Sequence, residues 1–224
     1  KKNKVTYFRG HGSFKSKNEI LIKDDKNKET IVQTEKIVIA TGSVPVSLPG
    51  IEIDEKIIVS STGALKLEKV PKKMVVVGGG YIGLEMGSVW SRLGSDVTVI
   101  EYLDFITPGM DREISDEFKK ILIKQGIKFK LGSKVNSVEN KGTSVLINYT
   151  DVKNSSDNKI EVDKVLVSVG RKPYTEGLNL SKIGVKKDDK GRIEVNNKLQ
   201  TSVNNIYAIG DVIKGPMLAH KAEE

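Results

Sequence analysis

The stretch VVVGGGYIGLE, residues 75–85, places the strongest constraint on how this chain folds. Gly78, Gly80 and Gly83 fill a G-x-G-x-x-G pattern between an apolar run typical of a buried strand and a run with helical periodicity. The next apolar run, DVTVIE, is typical of a second strand. In βαβ units with this spacing, the first glycine permits a tight turn, the second lets the backbone approach a pyrophosphate, and the third lets helix and strand pack closely. The stretch therefore predicts a dinucleotide-binding turn.

A carboxylate at the end of the second strand indicates which dinucleotide binds. Glu101 lies about 20 residues beyond the turn, where this fingerprint places an acidic residue on the adenine ribose. Tyr102 and Leu103 follow it, so a ribose 2′-phosphate would meet a like charge with no basic partner, and NAD is favoured over NADP. Two alternatives stay open at this point: Tyr81 as a plain packing residue and Glu85 as a surface carboxylate of the helix.

The rest of the chain predicts a mixed α/β structure. Before the glycine turn, short strands are predicted at 5–8, 20–23, 30–33 and 36–40, followed by a crossover rich in Pro and Gly. From the turn onward, the pattern predicts strands at 74–77 and 96–101 around a helix ending near residue 93, and a strand at 127–131. An antiparallel meander is predicted at 135–138, 144–149 and 159–162, with a hairpin loop at 151–159. A buried strand at 164–170 and a strand at 205–210 that runs into Asp211 complete the prediction.

A second helix is predicted between Asp111, its N-cap, and Gly126, just past its end. Its apolar residues are spaced for an amphipathic helix, namely Ile114, Phe118, Ile121 and Leu122. The final residues MLAHKAEE predict the start of another helix, with no residue that would end it.

Composition excludes several classes of function. The net charge is +8, but acidic residues are interspersed with the basic ones and only five of the 37 basic residues are Arg, which favours a solvated lysine surface over nucleic-acid binding. No apolar run approaches the roughly 20 residues of a membrane span. Cysteine is absent, so the chain has no disulfide framework and no thiolate metal site, and no metal site is predicted.

Five motifs occur in order along the chain, and together they resemble those of the flavoprotein disulfide reductases. They are ATGSVP (40–45), VVVGGGYIGLE (75–85), VSVGRKP (167–173), IYAIGDV (206–212) and GPMLAHKAEE (215–224). The last one is similar to the dihydrolipoamide dehydrogenase branch of the family. The resemblance implies an oxidoreductase that uses FAD and NAD, in which a flavin exchanges a hydride with the nicotinamide and a redox cysteine pair lies beyond the flavin.

The resemblance also implies a domain organisation. Residues 1–42 would be part of an FAD-binding domain, 43–70 a crossover, 71–172 a Rossmann-like NAD-binding domain with an antiparallel β-meander, and 173–224 a return segment into the FAD-binding domain. A first glycine fingerprint and a C-x-x-x-x-C pair would precede Lys1, and an interface domain with a catalytic His would follow Glu224. No catalytic residue is therefore expected within this chain.

Site residues follow by matching positions. The resemblance implies that the turn holds the pyrophosphate and the nicotinamide end, Glu101 the adenosine ribose, Val135 the adenine edge and Gly170 the approach to the nicotinamide. The turn residues are Gly78, Gly79, Gly80, Tyr81, Ile82, Gly83, Leu84 and Glu85. Tyr81 matches a ring that in glutathione reductase covers the flavin until the nicotinamide displaces it.

For FAD, the resemblance implies contacts from two groups of residues. Gly12, Thr41, Gly42 and Ser43 would line the site, Asp211 would bond the ribitol chain, and Met217, Leu218, Ala219 and His220 would pass beside the isoalloxazine. His220 as a residue that merely packs locally stays an alternative.

Partners and location are implied in the same way. The partner of the full-length enzyme would be dihydrolipoamide carried on an acyltransferase, and the enzyme itself would be a homodimer. Its location would be the mitochondrial matrix in eukaryotes or the cytoplasm in bacteria. Two alternatives remain: another enzyme of the superfamily, such as a mercuric or NADH-peroxidase-like reductase, or a non-catalytic NAD-binding module.

Overall fold

Residues 3–223 are described by the computed structural model, and the chain divides into two units. The central unit is Pro45–Arg171, and the split unit is formed by the chain up to Val44 and from Lys172 onward. The strands are β1 His11–Ser16, β2 Glu19–Lys23, β3 Glu29–Gln33, β4 Ile37–Ile39, β5 Ser43–Pro45, β6 Ile58–Val59, β7 Lys73–Val77, β8 Asp96–Ile100, β9 Lys128–Lys130, β10 Ser133–Asn140, β11 Val145–Asp151, β12 Ser156–Val162, β13 Lys164–Val167, β14 Arg171–Pro173 and β15 Ile206–Ala208. The helices are α1 Ser61–Ala64, α2 Tyr81–Arg92, α3 Arg112–Lys124, α4 Leu180–Ile183 and α5 Ala219–Glu223.

A five-stranded parallel sheet organises the central unit, in the order β6-β13-β7-β8-β9. Its inner strands read as continuous Val and Ile runs because both faces of a parallel sheet are covered. Met74, Val76, Val97 and Val99 are fully buried, and they share a core with Leu84 of α2. The segment β7–α2–β8 is the βαβ unit predicted from the glycine pattern, so the predicted Rossmann-like α/β fold is confirmed.

The antiparallel meander β10–β11–β12 belongs to the same unit and is also confirmed. Alternate residues of β11 face inward: Val145, Ile147 and Tyr149 are buried and pack in one cluster with Val75 and Val77 of the parallel sheet. The hairpin loop is shorter than predicted, because β11 continues to Asp151 and β12 begins at Ser156.

The split unit contains an antiparallel sheet, β1–β2–β3, and a parallel pair, β4–β15. The strand predicted at 5–8 is wrong: those residues are not in a strand, and the first strand is β1. β1 forms because it pairs with β2 across a tight hairpin and buries Phe14, whereas Val5 and Tyr7 are exposed. The strands predicted near β2, β3, β4 and β15 are confirmed.

Helix α3 begins at the predicted cap. The Asp111 carboxylate accepts hydrogen bonds from the N–H groups of Glu113 and Ile114, and Gly126 follows the helix with a positive φ of 95°. Leu122 is buried in the core of the central unit, but Ile114 and Ile121 are about half exposed, at 56% and 51%. The amphipathic pattern therefore predicts the helix correctly but not which of its apolar residues are covered.

Several short elements had no sequence signal: β5, β6, β14, α1 and α4. Each is two to four residues long, which is too short to show a helical or strand periodicity of apolar residues. Within residues 3–223, no helix is long and apolar enough to cross a membrane, and no group of three or more potential ligand residues is placed to hold a metal ion.

Candidate dinucleotide-binding sites

Two glycines of the turn are required by the packing of the chain itself. Gly78 directly follows strand β7 with φ +108°, and a Cβ atom there would lie 2.5 Å from the carbonyl oxygen of Ser168. A Cβ at Gly83 would overlap the Gly78 carbonyl oxygen and the Ser168 hydroxyl and would lie 3.0 Å from Val76. These glycines therefore bring α2, β7 and the end of β13 into close contact, whatever ligand is bound.

Gly80 differs, because nothing in the chain requires a glycine there. Its φ of −77° is accessible to any residue, and a Cβ atom would have no neighbour within 4 Å. Gly80 is the N-cap of the 12-residue helix α2, and no side chain caps that helix. The first N–H groups of a helix have no acceptor within the helix and carry a partial positive charge. Open space in front of such a terminus is suited to a phosphate group.

Glu101 lies beside this turn, as the spacing predicts. One carboxylate oxygen accepts a hydrogen bond from the Gly79 N–H at 2.6 Å, and the other accepts from the Leu103 N–H at 2.8 Å. A Cβ on Gly79 would be 3.2 Å from both Cβ and Cγ of Glu101. The missing side chain at Gly79 thus allows the carboxylate to approach the turn.

The remaining predicted NAD residues lie in the same unit with different exposure. Tyr81 is 59% exposed, so it is not a core packing residue, and Glu85 is also exposed. Leu84 is buried in the core, which leaves only its backbone accessible to a ligand, and Ile82 is half-buried. Val135 is half-buried in β10, opposite Tyr149.

Gly170 lies just past the end of β13 with φ +133°, and its carbonyl oxygen accepts a hydrogen bond from the Val46 N–H. Because β7, β8 and β13 are parallel neighbours, the glycine turn, Glu101 and Gly170 all follow carboxyl ends of the same sheet. Ligands of open α/β sheets bind in the crevice outside this edge.

The predicted FAD residues lie in the split unit, and two of them are in direct contact. The Ser43 hydroxyl donates a hydrogen bond of 2.6 Å to the Asp211 carboxylate. The Thr41 hydroxyl donates to the Tyr174 carbonyl oxygen, while the Tyr174 N–H donates to the Gly42 carbonyl oxygen. Strands β4 and β15 are parallel, so the residues that follow them meet at one edge of this pair.

The other predicted FAD residues occupy different elements. Gly12 lies in β1, opposite Ile22. Met217 and Leu218 precede α5, and Ala219 and His220 begin it; Leu218 is 46% exposed and His220 is exposed. A Cβ on Gly210 would contact the Ala222 side chain at 3.3 Å, so α5 packs close to the turn that carries Asp211.

Sequence reasoning missed two residues at the glycine turn. The Ser168 hydroxyl donates to the Val77 carbonyl oxygen at 3.1 Å, and the Thr107 N–H donates to the Gly79 carbonyl oxygen at 2.8 Å. Ser168 lies within the motif VSVGRKP, but the motif alone assigns no role to this serine. Thr107 has no such signal, because its contact joins residues that are distant in sequence.

Comparison with known proteins defines the class to which this fold and these sites belong. The family model described as pyridine nucleotide-disulphide oxidoreductase matches residues 1–224, and the chain belongs to this family. It is 56% identical over 224 residues to a protein named dihydrolipoyl dehydrogenase, mitochondrial, from Pisum sativum, covering 100% of the chain and 45% of that protein. It is 55% identical over 223 residues to a leghemoglobin reductase of Glycine max, covering 43% of that protein.

A solved structure shows the same fold. The HOCl-induced flavoprotein disulfide reductase RclA from Escherichia coli matches with a TM-score of 0.86 and 29% identity, covering 97% of this chain and 48% of that one. The chain thus spans less than half the length of the proteins it matches.

Proposed function

We propose that this chain is part of a dihydrolipoyl dehydrogenase and that it supplies the NAD site and part of the FAD site. The parent enzyme would reoxidise dihydrolipoamide with FAD and NAD in 2-oxo acid dehydrogenase complexes. The observation that carries the NAD assignment is the combination at the turn: helix α2 without a side-chain cap, open space at Gly80, and the Glu101 carboxylate alongside. The identity of 56% to a protein of that name supports the activity of the parent.

The residues of the turn fit a bound dinucleotide. The backbone at Gly80 and the N-terminus of α2 would hold the pyrophosphate through N–H groups and the helix dipole. Each Glu101 oxygen accepts one backbone N–H. A carboxylate offers about four lone-pair sites, so both oxygens can still accept hydrogen bonds from ribose hydroxyl groups. A 2′-phosphate in that place would be repelled, which supports NAD over NADP.

The split unit supports an incomplete FAD domain. Asp211 is half-buried, and the Ser43 hydroxyl orients its carboxylate, which retains acceptor capacity for a ribitol hydroxyl. The parallel pair β4–β15 leaves Val38 56% exposed. Parallel sheets are ordinarily covered on both faces, so further elements of the parent would cover this face. When bound, FAD supplies a two-electron carrier between the nicotinamide and a dithiol.

The domain boundaries are part of this proposal. We assign 1–42 and 173–224 to the FAD-binding domain, 71–172 to the NAD-binding domain and 43–70 to the crossover. The division by contacts groups 45–70 with the central unit, which supports a crossover that packs with the NAD-binding domain.

Partners and location are proposed for the parent alone. They are dihydrolipoamide carried on an acyltransferase, a second copy of the enzyme in a homodimer, and the mitochondrial matrix or, in a bacterium, the cytoplasm. The word mitochondrial in the name of the pea relative supports the first location.

Titration of the chain with NAD and NADP, with a visible spectrum and a lipoamide assay, tests the proposal. We expect NAD binding, weaker NADP binding, a colourless protein and no lipoamide turnover, because thiol–disulfide exchange requires a dithiol and the chain has no cysteine. Tight stoichiometric FAD without NAD binding, or measurable lipoamide reduction, would contradict it.

The soybean relative gives a second candidate for the parent. Its identity of 55% is almost the same as that of the pea protein, and its name describes a leghemoglobin reductase. Assays of the full-length parent with dihydrolipoamide and NAD, and with oxidised leghemoglobin and NADH, would separate the two activities. Exclusive turnover of leghemoglobin would favour the second candidate.

A further inference from the structure

The backbone of Gly79 is held by hydrogen bonds at both its N–H and its carbonyl group. Its N–H donates to Glu101, as described above, and its carbonyl oxygen accepts from the Thr107 N–H at 2.8 Å. Thr107 lies in the loop that connects β8 with α3. The glycine turn is therefore attached to this loop as well as to the end of β8.

Thr107 holds an unusual conformation to make this contact. Its φ is +51°, in the left-handed region that β-branched residues rarely adopt. Such a conformation is strained and persists only where surrounding contacts enforce it. Conformations of this kind concentrate at ligand sites and switch regions.

A pair of hydroxyl groups enforces the conformation. The Thr107 and Ser115 hydroxyl oxygens are 2.5 Å apart, and the Ser115 hydroxyl lies 2.6 Å from the carbonyl oxygen of Ile106, to which it donates. Ser115 has a single hydroxyl proton, so Thr107 must be the donor in their mutual hydrogen bond. Ser115 and Ile106 are each only 1% exposed, which shields this chain of bonds from water.

We infer that Thr107 and Ser115 are positioning residues for dinucleotide binding. The chain of hydrogen bonds runs from Ile106 through Ser115 and Thr107 to the Gly79 carbonyl oxygen. It fixes the peptide directly before Gly80, and hence the direction in which the backbone at Gly80 and the first N–H groups of α2 face the pyrophosphate. This inference rests on the proposed NAD site and adds two residues that would not touch the ligand.

The test compares Thr107→Val, which keeps the branched shape and loses the hydroxyl, with Thr107→Ser, which keeps the hydroxyl. Thr150→Val is the matched control, because Thr150 also loses a hydroxyl hydrogen bond, to Asp157, but lies in β11. Calorimetry would measure the Kd of three probes: NAD, ADP-ribose, which contains the pyrophosphate, and adenosine, which does not. Thermal unfolding would verify that each variant is folded.

We expect Thr107→Val to weaken NAD and ADP-ribose about three- to tenfold, the range for one lost hydrogen bond, and to leave adenosine unchanged. Thr107→Ser and Thr150→Val should bind like the unmodified chain. Ser115→Ala should weaken the same two probes, and the double variant Thr107→Val, Ser115→Ala should be no weaker than Ser115→Ala alone, since both act through one contact.

Equal NAD affinity of Thr107→Val and the unmodified chain would overturn the inference while leaving the NAD site intact. An equal loss for adenosine would also overturn it, because the effect would then be a general structural one. If the unmodified chain binds neither NAD nor ADP-ribose, the proposed function fails, and this inference fails with it.

Discussion

The substitution Gly79→Ala tests whether the close approach of Glu101 to the glycine turn sets the preference for NAD. The backbone of Gly79 has no positive φ, so alanine meets no conformational strain there. The added methyl group would lie 3.2 Å from Cβ and Cγ of Glu101 and 3.3 Å from its Oε2. These separations are below ordinary van der Waals contact, so the glutamate side chain must move by a few tenths of an ångström.

The displacement has a calculable consequence. The bond from the Gly79 N–H to the carboxylate is only 2.6 Å long, and a displaced carboxylate could not keep both this bond and the bonds that we propose it makes to ribose hydroxyls. Loss of one hydrogen bond to a charged group costs about 1.5–3 kcal/mol. Because the displacement is small, we expect the lower end, which is about a tenfold increase in the Kd of NAD. NADP does not present the 2′-hydroxyl, so its Kd should change less. The ratio of NAD affinity to NADP affinity should therefore fall.

The assay is calorimetric titration of the chain with NAD and with NADP. Gly87→Ala is the matched control, because that glycine also lies next to the parallel sheet, but its Cβ would make ordinary contacts of 3.4 and 3.5 Å with Val76 and Val97. The control should keep both affinities. An unchanged ratio of NAD to NADP affinity in Gly79→Ala would refute the reasoning, since it would show that the preference does not depend on where the turn holds Glu101.

Three further predictions concern the same chain or its parent. Gly80→Val should abolish NAD binding without changing the circular dichroism, because its side chain would fill space that no protein atom occupies; retained binding would place the dinucleotide elsewhere. Tyr81→Ala in the full-length enzyme should alter flavin fluorescence and the rate of reduction by NADH, and identical values would argue against a covering ring. Burial raises the pKa of Asp54, but hydrogen bonds from the N–H groups of Lys56, Ile57 and Ile58 and from the Asn140 side chain together outweigh burial and lower that pKa below 3.8. The stability that ionised Asp54 contributes is thus complete above pH 3.8 and is lost as the pH falls through the lower pKa of the folded state. Asp54→Asn should therefore flatten this part of the curve of unfolding free energy against pH. Parallel curves for the variant and the unmodified chain would contradict this expectation.

Features that depend on neighbouring residues could be predicted from the sequence. The turn at 78–83, the strand before it and the cap at Asp111 are encoded within a few residues, and all are present in the structure. Glu101 lies at a fixed spacing from the turn, so the sequence also predicted that it would lie close by. The family resemblance predicted that Ser43 and Asp211 belong to one site, but the hydrogen bond between them joins residues 168 positions apart and was not predicted.

Features that depend on a partner could not be predicted. The apolar run at 5–8 reads as a strand, but a strand needs a neighbour for its N–H and C=O groups, and β1 at 11–16 is the segment that pairs with β2. Periodicity likewise predicted α3 but could not show that Ile114 remains exposed while Leu122 is covered. The contact of Thr107 with Gly79 joins a loop to a turn, and no local pattern specifies it.

The glycine fingerprint combines two requirements that the sequence alone cannot separate. Gly78 and Gly83 are explained by the chain, since any side chain there would collide with Ser168 or with the turn itself. Gly79 is explained by a second residue, Glu101, whose approach it permits. A Cβ atom at Gly80 would meet no atom of the chain within 4 Å, and the backbone there has no conformational need for glycine. A position that requires glycine for folding reports on the fold, whereas we expect Gly80 to serve a ligand, because it also lies at the N-terminus of α2 with open space beside it. A substitution at Gly80 therefore tests dinucleotide binding with the least effect on the fold. The same substitution at Gly78 would disturb the fold as well, so a loss of binding could not be assigned to the ligand site.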